Sequence, residues 1–158
     1  MNTSFLRNTL LAFLYLALAS FGVIIIFLPT AFISALTSDF SFLMLVNLFF
    51  NTWYIFNYFI VIRKLLAMIK TTNTTPFIFD NVKNFKTMGY CLFINSAFEL
   101  IIGYKGSQNI GNIQILASNN GAITPTMIIC FVSALMCFVI AEIFYKAIKI
   151  KEDNDLTI

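Results

Sequence analysis

Four stretches of this chain are long, apolar and nearly free of charge, and Pro, Gly, Asn and Lys collect in the breaks between them. Leu10 to Leu28 is the first, expected to stop at Pro29. Phe42 to Ile62 is the second, closed by Arg63 and Lys64. Met88 to Gly103 is shorter, so its helix is expected to begin earlier, near Val82 or Phe85. Thr124 to Ile143 is the fourth, with Pro125 suited to a first helical turn. A helix rises about 1.5 Å per residue, so crossing roughly 30 Å of hydrocarbon takes about 20 mostly apolar residues. The pattern predicts an all-α integral membrane protein, a single domain over 1–158 built as a four-transmembrane-helix bundle. Its spans fall at about 10–28, 42–62, 85–103 and 124–143, and 144–158 form a tail. No internal repeat suggests an inverted-repeat transporter.

The segments between the spans are unequal. After span two the chain keeps an apolar pattern among basic residues, breaks at Thr71-Thr72-Asn73-Thr74-Thr75-Pro76, and resumes with Phe77, Ile78, Val82 and Phe85 among Lys83 and Lys86. This reads as helix two projecting from the bilayer, a turn, and an amphipathic lead into helix three, of the kind that lies on anionic headgroups. The second outer loop, Tyr104 to Ile123, carries three glycines around Asn112-Ile113-Gln114-Ile115-Leu116. That alternation predicts a short extended or interfacial segment.

Charge sets the orientation. Arg7, then Arg63, Lys64, Lys70, Lys83 and Lys86, then Lys146, Lys149 and Lys151 all fall on one side of a four-span arrangement, and Lys105 alone falls on the other. Lys and Arg gather on the cytoplasmic side, so both termini are expected in the cytoplasm of a bacterial plasma-membrane protein. Arg7 followed by an apolar run and Ala17-Leu18-Ala19 imitates a cleavable leader. The run continues apolar to Leu28, which favours an uncleaved first span.

Composition narrows the chemistry. The 158 residues are 59% hydrophobic and 11% charged, against about 45–50% and 25% in soluble domains, too apolar for a soluble enzyme or a nucleic-acid binder. There is no His, and Cys91, Cys130 and Cys137 lie in apolar runs without metal or disulfide spacing. No cofactor, metal site or catalytic set is expected, and the chain is read as non-enzymatic.

Two acids lie in the spans, where a charge is costly. Glu99 is about 16 Å beyond Met88 at helical rise. Asn47, Asn51, Tyr54 and Tyr58 share one face of span two, and Asn47 or Asn51 is the expected hydrogen-bond partner of Glu99. Glu142, near the inner edge of span four, has Lys146 four residues on and is expected to pair there, clamping the ends of helices two and four with Arg63 and Lys64.

Thr75-Pro76-Phe77 followed by Asp80-Asn81-Val82-Lys83, with Ala141-Glu142-Ile143-Phe144 and the ending Glu152-Asp153-Asn154-Asp155-Leu156-Thr157-Ile158, resembles a bacterial membrane family, the domain of unknown function 2975. The departures are Asp80, where the family more usually has Glu, and Tyr145-Lys146-Ala147, which lacks a glycine often found there. The resemblance implies four spans over essentially the whole chain and no established catalytic activity. Members are frequently encoded beside a small Cro-like helix-turn-helix regulator, which implies a regulatory pairing.

Both motifs fall on the side that the charges assign to the cytoplasm. The expected function is a regulator or sensor whose inner face binds a cytoplasmic protein such as that regulator, without touching nucleic acid itself. The docking candidates are Pro76, Phe77, Asn81, Lys83, Glu142, Glu152, Asp153, Asp155 and Leu156. The alternative is a small oligomeric transporter or channel using Glu99, Asn47 and Asn51. The lipid bilayer is a partner under either reading, and a homo-oligomer is compatible with both.

Overall fold

The computed structural model describes residues 3–37, 42–71, 76–105, 116–118 and 121–155. They form α1 (Thr3–Thr37), α2 (Phe42–Thr71), α3 (Phe79–Lys105), the strands β1 (Leu116–Ser118) and β2 (Gly121–Ile123), and α4 (Pro125–Asp155). Three helices are long and apolar enough to cross a membrane, over Phe5–Ser34, Leu48–Thr71 and Pro125–Asn154. This is a helical membrane protein. The chain divides into two compact units, Met1–Ile69 and Lys70–Ile158.

In the first unit α1 does not stop at Pro29 but runs through it to Thr37. Proline removes one backbone donor, which ends helices in water, but helices in lipid continue when nearby hydroxyls satisfy the freed groups. Thr30 Oγ1 donates to the Phe27 carbonyl at 2.7 Å, beside the proline, although the carbonyl that Pro29 leaves without a donor is that of Ile25. Thr9, Ser20 and Thr52 likewise donate to carbonyls one turn back at 2.8–3.0 Å, so these side chains keep their polarity inside the helix. Phe21 of α1 stacks on Tyr58 of α2 at 6.3 Å, and the Tyr54 and Tyr58 hydroxyls lie 3.2 Å apart.

The second unit is a close antiparallel pair of α3 and α4, with the hairpin folded against α3. The strands pair Leu116 with Ile123 and Ser118 with Gly121. The extended segment expected in this loop is therefore present, and it begins at Leu116; Asn112–Ile115 lie outside the described residues. α3 begins at Phe79, a turn or so before the expected start, with the Asn81 amide N–H donating to the Ile78 carbonyl at 3.0 Å.

Small side chains set the α3–α4 separation. Ala134 and Ala141 are wholly buried, and Gly89 sits under the Phe138 ring, where an added Cβ would lie 2.8 Å from a ring carbon. Such residues let helix backbones approach closely. Gly89→Ala should cost about 1–3 kcal/mol, the usual range for overpacking, because Phe138 is also held edge-on by Tyr90 at 5.1 Å. Thermal unfolding in detergent should register the loss, and Gly89→Ala with Phe138→Leu should recover part of it.

α3 has 27 residues, about 40 Å at helical rise, yet falls short of a membrane span by apolarity. Its polar residues Asn95 and Ser96 are buried, whereas Tyr90, Phe93, Ile94, Leu100 and Ile101 form its exposed stripe. Within its apolar stretch the polar Asn95 and Ser96 are turned inward, while Asp80, Lys83 and Lys86 at its start are exposed.

Candidate functional site

Asn81 organises the end of the second unit where α2 finishes and α3 begins. Its side chain is 3% exposed. Asn81 Nδ2 donates to the Pro76 carbonyl at 2.7 Å and to Thr71 Oγ1 at 3.0 Å, while the Thr71 hydroxyl donates to Asn81 Oδ1 at 3.1 Å. One buried amide thus joins the last residue of α2, the turn and the first turn of α3. An Asn suits the task because it offers donors and an acceptor at one point.

Aromatic contacts extend this junction onto α4. Phe144 meets Phe77 and Phe85, each at 5.4 Å, and Phe79 meets Tyr145 at 6.2 Å. Beneath them Val82, Ala141 and Ile148 form a buried cluster. The segment from Pro76 to Lys83 and the segment from Ala141 to Phe144, distant in sequence, are packed on each other.

Charges surround this packing on its exposed side. Lys83 Nζ lies 3.8 Å from Asp80, and Lys146 Nζ lies 3.6 Å from Glu142, both pairs well exposed. The Glu142 pairing is the one expected from spacing. Exposed pairs of this kind contribute only about 0.2–1 kcal/mol, so they can exchange partners readily. Glu152 and Asp153 are exposed on the last turns of α4, which stays helical well past the expected end of span four. Of the docking candidates, Phe77, Lys83, Glu142, Glu152 and Asp153 are exposed. Pro76 is half-buried, Asn81 lies beneath the surface and holds it, and the Asp155 side chain and Leu156 lie outside the described residues.

The far end of the α3–α4 pair holds a second polar cluster. Thr124 Oγ1 accepts from the Met127 amide N–H at 3.2 Å, capping α4 ahead of Pro125, and donates to Glu99 Oε2 at 3.3 Å. Ser96 Oγ donates to the Met127 carbonyl at 3.1 Å. Within the second unit the partner of Glu99 is therefore the Thr124 hydroxyl. Asn51 is exposed and the side chain of Asn47 lies outside the described residues; besides Asn81, the amides buried in the described helices are Asn57 and, wholly, Asn95. Among the described residues no group of His, Cys, Asp or Glu could hold a metal ion.

The family model described as "Protein of unknown function (DUF2975)" matches residues 30–158, from the last turns of α1 to the end of the chain. The chain belongs to this family. None of the curated proteins and none of the solved structures matches it. Both DUF2975 motifs quoted from the sequence lie inside the match, and the structure brings them together through Phe77, Phe85 and Phe144.

Thr71 and Thr124 were not singled out by the sequence reading. Thr124-Pro125 is a legible cap-and-first-turn pair. Thr71 carries no such signal, because its partner is ten residues away across a turn.

Proposed function

We propose that this DUF2975 protein is a non-enzymatic regulator of the bacterial inner membrane, with four spans and both termini in the cytoplasm. Its inner face, on this reading, docks a cytoplasmic protein such as a Cro-like helix-turn-helix regulator. The observation that carries this is the convergence of the two family motifs on one end of the α3–α4 pair, with the Asn81 junction buried below and charged pairs exposed above. A face used only to connect helices has no need of exposed Phe77 beside a set of weak, exchangeable ion pairs.

Spanning by α3 is supported by its register against α4. Phe85 meets Phe144, so Lys83 and Lys86 lie near the level of Glu142 and Lys146. From there Lys86 to Lys105 and Lys146 to Pro125 each cover about 30 Å at helical rise, one hydrocarbon thickness. The Lys and Arg asymmetry supports the cytoplasmic side for this shared level.

Truncation after Lys151 tests the docking role of the tail. It removes Glu152, Asp153 and the rest of the acidic ending, yet leaves Ile148, the last buried residue of the α4 core, in place. Membrane insertion and abundance should be unchanged, while retention of a co-expressed Cro-like regulator on membranes is lost. Unchanged retention would make the tail an ordinary solvated helix end. Failure to accumulate would make it structural.

A further inference from the structure

We propose that the exposed side of the α3–α4 end is a binding site for the headgroup of an anionic phospholipid, a reading that rests on α3 crossing the membrane. Phe79, Lys83, Lys86 and Tyr90 are all exposed and follow one another at intervals of four, three and four residues, which aligns them in one stripe of α3. Beyond Tyr90 the same side is apolar, through Phe93, Ile94 and Ile101. The stripe therefore passes from cationic to aromatic to apolar, the order in which a lipid presents its phosphate, its interfacial region and its acyl chains.

α4 closes the site from the side. Tyr145 meets Phe79 at 6.2 Å, and Lys149 Nζ stands 5.0 Å above the Tyr145 ring. Lys149 thus borders the aromatic pair, and Lys83 and Lys86 follow Phe79 along the stripe of α3. The nearby acids temper them unequally. Asp80 lies 3.8 Å from Lys83 Nζ in a fully solvated pair, which a phosphate can displace. Glu152 and Asp153 follow Lys149 within about a turn and weaken it, and among the described residues none forms an ion pair with Lys86. Lys83 and Lys86 carry the larger share. Occupancy would hold the start of α3 at the headgroup level and leave the Glu142 to Asp153 side of α4 facing the cytoplasm.

The full-length protein in detergent, titrated with phosphatidylglycerol or phosphatidylcholine and read by native mass spectrometry, tests this. Phosphatidylglycerol should be retained in preference, and Lys83→Gln with Lys86→Gln should reduce that preference by roughly fivefold for each lysine. Asp80→Asn should increase it, a change in the opposite direction that loss of folding cannot mimic. An undiminished preference in the double variant overturns the site. Displacement of the lipid by equimolar glycerol phosphate overturns the lipid in favour of a free phosphate monoester. Labelling of a cysteine at Ile94 by a membrane-impermeant maleimide in sealed vesicles would instead overturn the spanning of α3, whatever the lipid result.

Discussion

Asn81→Asp should be the most damaging single-atom change in the protein. It replaces the Nδ2 donor by an oxygen and sets that oxygen 2.7 Å from the Pro76 carbonyl, where two acceptors face each other. It also removes the donor to Thr71 and places an ionised group at a position 3% exposed. A buried polar group left without its partner costs about 1–3 kcal/mol, and a buried charge adds to that, so the junction should lose roughly 3 kcal/mol or more. Thr71→Val should cost about 1 kcal/mol, since the Pro76 bond survives it. Limited proteolysis across residues 76–83 should show the difference directly: rapid cleavage in Asn81→Asp, slow cleavage in the parent and in Thr71→Ser. Equal protection in Asn81→Asp would mean that the aromatic packing holds this end without the amide.

Thr124→Ala should produce the second large loss, at the opposite end of the same helix pair. The hydroxyl performs two tasks, accepting from the Met127 N–H and donating to Glu99 Oε2. Losing a cap costs about 0.5–2 kcal/mol, and losing a hydrogen bond about 0.5–1.5 kcal/mol. The sum is roughly 1–3.5 kcal/mol, while Thr124→Ser should retain most of both. Glu99→Gln keeps an acceptor oxygen and should be milder than Glu99→Leu, which leaves the hydroxyl without an acceptor in a setting short of water. A double-mutant cycle between Thr124→Ala and Glu99→Leu, followed by thermal unfolding, should show coupling. Additive effects would mean that the 3.3 Å contact contributes nothing and that Glu99 acts elsewhere.

The membrane character and the positions of the helices were legible because lipid imposes a long apolar run that needs no tertiary information. The pairing of Glu142 with Lys146 was legible too, since it is local to one helix. Pro29 misled, because a breaker rule drawn from water does not hold for a helix in lipid, where no water competes for the backbone. The low average apolarity of α3 hides a readable pattern: Leu92, Asn95, Ser96 and Glu99 recur at helical spacing and mark an inner face. The contact of Glu99 with Thr124 was not legible. Counting residues inward gives depth, but only the hairpin fixes that Thr124 returns beside α3. The Asn81 junction was equally hidden, since it joins residues across a turn and follows no period. The motif Thr75 to Lys83 could be quoted from the sequence, but what Asn81 does within it could not.

The most direct test of the docking face is site-specific photo-crosslinking in intact membranes, with a photoreactive residue introduced at Phe77, Ile150 or, as a control on the outer stripe of α3, Phe93. A Cro-like regulator is co-expressed from beside a family member. Phe77 and Ile150 should both crosslink to that regulator, truncation after Lys151 should remove the adducts, and Phe93 should yield only lipid adducts. Regulator adducts of equal yield from Phe93, or none from Phe77 and Ile150 while the protein is abundant in the membrane, would contradict the docking face.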